Sequence, residues 1–410
     1  MKIKKPNGVL YFLVFILMYP VLKLLFRLKV DKSGYDPPKG PFIVVSNHCS
    51  FMDFIVVMLA LYPRRMNAVA AQKFFYYRPL HRLLPFMGAI PKYLFDPDIR
   101  AIRGVMTVVK RGGRILLFPE GRCSTDGAYM GIHKSTGKMI KKLAVPVISC
   151  RIEGAYTCMP FWRKGVRLGR ERVTIAGLLS AEEAGAFSAD EINSAIDARL
   201  GGADTRAPAK PFQTLRARNL TQGLQNILYW CPKCGSEFTH ETFGNTIRCT
   251  ACGNSAELDR EAKFTPSEGS AAPESVHAWF RDQNRYEMRL MKEDMPPISA
   301  HVSVRMPSDV EGGGMTHRGN GVLSLSPEGW RYEGELSGEQ TELFFPIDTV
   351  PALPIDPEDD FQIYAHGVFY MFSPDDPRKC VKYSSLGECA YWRFASGVQM
   401  TASYDSGFID

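Results

Sequence analysis

The sequence has no disulfide framework. Of its ten cysteines, six are scattered without pattern and four fall at metal-ligand spacing, which excludes a small bridged scaffold and points to a reducing compartment. Nor is there a large excess of one charge: 50 basic and 43 acidic side chains leave a formal charge of +7. That mild bias favours anionic surfaces without choosing between phospholipid and nucleic acid. The N-terminal apolar run falls short of the roughly 20 residues that a spanning helix needs. It covers residues 8–22, after which Lys23 and Arg27 interrupt Leu24, Leu25, Phe26 and Leu28. No small-residue cleavage site follows, so the run reads as a retained anchor rather than a signal peptide.

What is present describes a folded chain with more than one core: 410 residues, 45% hydrophobic and 23% charged, for which three domains are expected. Residues 1–34 read as a membrane-associated N-terminal helix that snorkelling of Lys23 and Arg27 would lengthen. Basic residues on both flanks favour neither a span nor a helix lying in the interface.

Residues 35–205 read as a parallel α/β domain. Phe42-Ile43-Val44-Val45 is a short apolar run that ends in a polar cluster, as a doubly buried strand entering a loop does. Ile99, Ile102, Val105, Met106 and Val109 recur at helical spacing, Gly112-Gly113 stops that helix, and Ile115-Leu116-Leu117-Phe118 starts the next strand. A helix near 138–143 then precedes the buried run Val145-Pro146-Val147-Ile148. Ligands bind at strand ends in such sheets.

The loop after the first strand reads Asn47-His48-Cys49-Ser50-Phe51-Met52-Asp53. A carboxylate five residues from a histidine can fix its tautomer and support the imidazolium formed when it takes a proton. Alone, this spacing would describe a surface histidine and a helix-capping aspartate. Its company decides the matter: Gly88-Ala89-Ile90-Pro91-Lys92, Phe118-Pro119-Glu120-Gly121-Arg122-Cys123-Ser124, and Val145-Pro146-Val147-Ile148.

In this order and spacing the segments resemble the four blocks of the lysophospholipid acyltransferase family, which includes 1-acyl-glycerol-3-phosphate acyltransferases. The resemblance covers roughly half the chain. It implies His48 as general base, Asp53 as its orienting partner, and Glu120 and Gly121 in the block that shapes the acceptor site; backbone amides near Gly121 are expected, on our own reading, to steady an oxyanion. The family usually carries Thr-Arg-Ser after this Glu-Gly. Here Arg122 comes one place early, so Arg122 and Lys92 are the candidate cations for an acceptor phosphate, while Arg100 and Arg103 read as a solvated helix face. Because the resemblance implies direct attack by an acceptor hydroxyl, Cys49 and Cys123 read as small filler. The basic and aromatic stretch 71–84 reads as a contact with lipid headgroups.

Residues 206–258 read as a helix and a small zinc ribbon. Cys231-Pro232-Lys233-Cys234-Gly235 and Cys249-Thr250-Ala251-Cys252-Gly253 are two C-x2-C-G knuckles, whose four thiolates close a tetrahedral structural zinc site with no open position for catalysis. Few apolar residues separate them, so the metal is expected to supply most of the segment's stability. Residues 259–278, rich in Glu, Ser, Ala and Pro, read as a linker. Residues 279–410 read as a mainly-β domain with short runs at 301–306, 321–325, 330–332, 343–347, 361–364 and 368–372 and a closing helix near 381–398, similar in topology to a pleckstrin-homology (PH) or GRAM-type barrel.

The expected activity is O-acyl transfer in phospholipid biosynthesis, from acyl-CoA or acyl carrier protein to a hydroxyl of lysophosphatidic acid or a related lysophospholipid or glycerol phosphate. The expected setting is a membrane phospholipid surface, with the catalytic domain on the cytoplasmic side and no nucleic acid partner. The rival readings are a catalytically weak, membrane-tethered binding protein and a thioesterase.

Overall fold

Ile43–Ser46 is buried throughout, as a strand covered on both faces must be. It lies at the centre of the first of two units in the structure, a computed structural model that describes residues 3–95, 98–201, 214–293, 295, 298–365 and 367–398. In chain order the first unit contains α1 (Gly8–Leu25), β1 (Lys29–Gly34), β2 (Ile43–Ser46), α2 (Asp53–Ala60), β3 (Asn67–Ala71), α3 (Leu80–Phe86), β4 (Ile90–Lys92), α4 (Ile99–Lys110) and β5 (Ile115–Leu117). It continues with α5 (Ser135–Leu143), β6 (Val147–Glu153), α6 (Ala155–Cys158), β7 (Arg172–Leu179), α7 (Ala181–Ala186) and α8 (Ala189–Leu200). The strands form one sheet in the order β1-β7-β6-β2-β5-β3-β4. All neighbours run parallel except β6 and β7.

The period-2 alternation of the strands sorts their side chains into two cores. Val44, Leu116 and Ile148 pack with α2 and with Tyr11, Leu22 and Phe26. Ile43, Val45, Ile115, Leu117 and Val147 pack on the other face with α4, α5 and α8. Because β2 is flanked by β5 and β6 in parallel, the loops after β2 and β5 leave the sheet at the same end, side by side.

Residues 1–34 are not a separate element, contrary to the sequence expectation. β1 is an edge strand of the α/β sheet, paired with β7, and Ile3 is buried in the second core. Ahead of α1, Lys4 O accepts from Asn67 Nδ2 at 2.9 Å, Pro6 O accepts from Arg65 Nη1 at 3.0 Å, and Asn7 N donates to Phe86 O at 3.0 Å. Behind it, Glu171 N donates to Phe26 O at 2.8 Å. Both ends of α1 are thus held by the same domain. Tyr11 hydrogen-bonds the main chain of Met66 through its hydroxyl, while Val9, Phe12, Leu13, Ile16, Leu17, Val21 and Leu24 face solvent.

The second unit holds β8 (His240–Phe243), β9 (Thr246–Cys249), β10 (Ser255–Leu258) and β11 (Phe264–Pro266), an antiparallel sheet in the order β11-β10-β9-β8. The helix α9 (Val276–Glu293) follows. Next come β12 (Ile298–Pro307), β13 (Met315–Ser326), β14 (Gly329–Leu336), β15 (Glu339–Pro346), β16 (Ile355–Asp356), β17 (Asp360–Ala365) and β18 (Val368–Pro374), then α10 (Lys379–Phe394). These seven strands form an antiparallel sheet in the order β15-β14-β13-β12-β18-β17-β16, with α10 packed on its core.

Two further expectations are corrected here. The helix expected before the ribbon is absent among the described residues 214–230, which hold a short 3-10 turn, Leu224–Asn226. Asn226, Ile227, Leu228 and Tyr229 are buried in unbroken succession, which one face of a helix does not give, and the fully buried Gln283 of α9 accepts from Tyr229 N and Trp230 N and donates to Ile227 O. The stretch 259–278 is not a free linker either: it contributes β11, and Phe264 packs edge-on against Trp279 with centroids 5.3 Å apart.

Candidate active site

The chain leaves β2 through Asn47, whose side-chain amide closes two hydrogen bonds with the main chain of Ile152, at 2.9 and 2.8 Å. That clamp fixes the loop against the neighbouring strand β6. Asp53 opens α2, where the unpaired amides of a helix start favour a carboxylate. Its Oδ2 accepts from Cys49 N at 2.6 Å and Ser50 N at 2.8 Å, and lies 3.0 Å from His48 Nδ1. One buried oxygen therefore organises the turn and orients the imidazole, leaving Nε2 to face the site. Phe118 stacks on the ring with centroids 4.4 Å apart.

The loop after β5 completes the site. Glu120 Oε1 accepts from His48 N at 2.7 Å and Oε2 accepts from Met130 N at 3.0 Å, while Ser124 N donates to His48 O at 2.9 Å. Glu120, expected in the block that shapes the acceptor site, is only 1% exposed, and both its carboxylate oxygens accept from main chain, so it braces the histidine loop. The oxyanion role expected near Gly121 meets a similar obstacle, because Gly121 N already donates to Phe118 O at 3.1 Å. Gly121 is required for another reason: its φ is +80°, and a Cβ would meet the Phe95 ring at 3.1 Å. Lys92, at the end of β4, donates through Nζ to Tyr93 O at 3.0 Å. Arg122 is half-buried in the loop beside Cys123.

Burial disfavours a charged His48, but the Cys123 sulfur and the Asp53 carboxylate outweigh it and hold the imidazole well above its ordinary value. Burial pushes Glu120 up to about 8 against its two amide bonds. Cys49 is driven well up by burial, then by Asp53 and Glu120. Cys123, read as filler from the sequence, lies against the imidazole, with Sγ 3.4 Å from His48 Nε2 and 3.6 Å from Nδ1. The two residues are 75 positions apart in sequence, and the parallel pairing of β2 with β5 brings them together. Asn47, Phe118 and Met130 were not singled out as site residues in the sequence, since none carries a chemical group that advertises catalysis.

Residues 27–153 match the acyltransferase family. The chain therefore carries an acyltransferase-family domain. The matched segment includes His48, Asp53, Lys92, Glu120, Gly121, Arg122 and Cys123. Among curated proteins, the 1-acyl-sn-glycerol-3-phosphate acyltransferase BAT2, chloroplastic, of Brassica napus is 29% identical over 128 residues, 31% of this chain and 37% of that protein. The corresponding LPAT1, chloroplastic, of Arabidopsis thaliana is 28% identical over 161 residues, 38% of this chain and 44% of that protein. The chain thus spans less than half the length of these relatives. The crystal structure of the 1-acyl-sn-glycerophosphate acyltransferase PlsC from Thermotoga maritima matches with a TM-score of 0.40 and 22% identity, covering 46% of this chain and 75% of that one.

Outside the acyltransferase segment, the sulfurs of Cys231, Cys234, Cys249 and Cys252 lie within 4.8 Å of one another. Cys231 to Cys252 and Cys234 to Cys249 are each 3.8 Å apart. A zinc–sulfur bond of about 2.3 Å sets a tetrahedron edge of about 3.8 Å, so the four sulfurs fit that ion. Gly235 and Gly253 both have φ +73°, and each donates to the carbonyl of the first cysteine of its knuckle, at 2.9 and 3.0 Å. Each C-x2-C-G knuckle thus closes in a tight turn at its glycine. Contacts other than the cysteine cluster also hold this segment, which was expected to draw most of its stability from a metal: Trp279 Nε1 donates to Trp230 O at 2.9 Å, and Lys382 Nζ donates to Glu237.

Proposed function

We propose that this protein is an O-acyltransferase that moves a fatty acyl group from a thioester donor, acyl-CoA or acyl carrier protein, to a hydroxyl of lysophosphatidic acid or a related lysophospholipid or glycerol phosphate. The observation that carries this reading is the His48 Nδ1 to Asp53 Oδ2 contact of 3.0 Å, inside a segment that matches the acyltransferase family. Asp53 holds the tautomer that leaves Nε2 free to accept a proton, and supports the charge that develops on the ring. The names of the plant relatives support lysophosphatidate as acceptor. Arg122 and Lys92 are the cations proposed to meet its phosphate.

Membrane attachment through α1 belongs to the same reading. The helix is long and apolar enough to cross a bilayer by composition. A span would need its two ends on opposite sides of a hydrocarbon core of about 30 Å, yet both ends are hydrogen-bonded to one domain. The helix is therefore read as lying in the interface, its exposed apolar stripe in the acyl region and the site facing the cytoplasmic leaflet. The cluster of four cysteines is read as a structural zinc site. The seven-stranded sheet with its terminal helix is read as a PH- or GRAM-like domain on the strength of its topology.

The test is transfer of a radiolabelled acyl chain from palmitoyl-CoA, or from the acylated carrier protein, to lysophosphatidate in vesicles. Label in phosphatidate, lost by at least about 100-fold in His48→Ala, is the expected result. Full transfer by His48→Ala would overturn it, and label released only as free fatty acid would replace it with a thioesterase.

A further inference from the structure

The two faces of the α/β sheet differ in chemistry at the end where the histidine loop leaves it. On the face of the second core the rim carries cations. Ile90 belongs to that core, and Lys92, two residues on in β4, shares its face. His133 leads into α5 on the same side. Burial and then the charges of Lys92 and Lys138 hold its imidazole below the ordinary value, which places the three groups together. On the face of the first core the rim is apolar. Phe51, between His48 and Asp53, is 59% exposed, and its ring stands edge-on to that of Phe161 with centroids 6.1 Å apart. Met52 and Met159 beside them pack on the first core. The exposure of Phe51 is built in: Asp53 Oδ2 holds the amides of Cys49 and Ser50 ahead of it, and Ser50 Oγ accepts from Met52 N behind it.

The exposed apolar line continues from Phe161 to α1. Arg167 N donates to Cys158 O at 2.8 Å and Gly169 N to Leu25 O at 3.4 Å, so the segment between them runs from α6 to the end of α1. It presents Val166 and Leu168 to solvent, and α1 ends with Leu24 exposed. Large apolar side chains left in water along one line mark a binding surface. A one-chain glycerophospholipid has the matching order of groups, since its free central hydroxyl lies between the ester-linked chain and the phosphate. With the hydroxyl at His48 Nε2 and the phosphate toward the cations, the chain falls on the side of Phe51.

Resting on the acyltransferase reading above, we propose that Phe51, with Phe161, seats the hydrocarbon chain that a one-chain phospholipid acceptor already carries and so determines acceptor specificity. The chain then points along Val166 and Leu168 toward α1, the element read as lying in the bilayer interface. Glycerol phosphate, which has no chain, forgoes this contact. The transferred chain of the donor does not use it.

The full-length protein is assayed with decanoyl-CoA and three acceptors in detergent-free buffer: glycerol 3-phosphate, 1-hexanoyl-lysophosphatidate and 1-myristoyl-lysophosphatidate, the last two below their micelle-forming concentrations. Wild-type kcat/KM should favour the myristoyl over the hexanoyl acceptor by at least about 10-fold, with glycerol 3-phosphate the poorest. Phe51→Ala should cut that preference by about 10-fold, through KM rather than kcat, and Phe51→Leu should keep most of it. The preference between octanoyl-CoA and palmitoyl-CoA as donors should stay as in the wild type. The proposal is overturned if Phe51→Ala and the double variant Phe51→Ala with Phe161→Ala both keep the wild-type acceptor preference. It is equally overturned if only the donor preference changes, which would assign the two rings to the transferred chain. Those outcomes leave the acyltransferase reading standing. Wild-type protein that transfers to none of the three acceptors overturns both.

Discussion

Asp53 Oδ2 serves three donors at once, so its removal acts on chemistry and stability together. Asp53→Asn can keep all three donors on its carbonyl oxygen, but it removes the charge that supports the imidazolium and buries an unpaired amide where Oδ1 stands without a partner. Transfer should fall by about 10²- to 10⁴-fold, and the urea midpoint should report a loss of about 1–3 kcal/mol from the unsatisfied group. A variant that keeps half the wild-type rate would show that His48 needs no orienting carboxylate. Glu171 gives a pH test. It is 3% exposed, its Oε2 has no hydrogen-bond partner, and burial, with a smaller push from Asp53, raises its carboxyl to about 8. A folded-state value above the unfolded one means that its contribution is complete below the ordinary carboxyl range and is lost as pH rises through about 8. Melting temperature should therefore fall between about pH 5 and pH 8, and Glu171→Gln should reduce that slope. Glu120, raised to a similar value, remains in the variant, so some slope persists. Equal slopes in the two proteins would contradict the assignment.

At the scale of an element, α1 separates two kinds of apolar residue that composition cannot tell apart. Tyr11 and Leu22 are buried against the α/β core, while Leu13 and Leu17 are 48% and 65% exposed on the opposite face. A charged pair, Leu13→Glu with Leu17→Glu, should abolish sedimentation with anionic vesicles. Stability should change by no more than about 0.5 kcal/mol per site, since neither side chain packs in the domain. Vesicle binding at the wild-type level would rule out α1 as the membrane contact. Tyr11→Phe is the complementary change: it leaves the apolar face intact but removes the hydroxyl that pairs with both main-chain groups of Met66. It should lower stability by about 1–3 kcal/mol without affecting vesicle binding.

For the molecule as a whole, the four-cysteine cluster tests how metal and packing share the second unit. The protein purified without chelator should contain about one zinc per chain, and Cys231→Ser with Cys249→Ser should contain none. In isolated zinc peptides the ion contributes on the order of 10–16 kcal/mol. Here Gln283, Trp279 and Lys382 also hold the ribbon, so its removal should leave the sheet of β12 to β18 folded. In hydrogen exchange, amides of β8 to β11 should lose protection while those of β12 to β14 keep it. Collapse of both sheets together would mean that the metal supports the entire unit.

Local pattern alone determined the doubly buried strand β2, the period of α4 and its glycine stop, and the two cysteine knuckles, while the pairing of His48 with Asp53 was legible only with the three later blocks beside it. Each local pattern depends on side chains close together in sequence, where periodicity or spacing carries the physics. Tertiary structure decided what depends on distant segments. It made Glu120 a brace for the histidine loop, put β1 and Ile3 into the α/β domain, and used Gln283 to order Ile227 to Trp230 without a helix. It also placed Cys123 on His48, because the sheet aligns the ends of β2 and β5. No local signal encodes which of six unpatterned thiols meets an imidazole 75 residues away; strand order does.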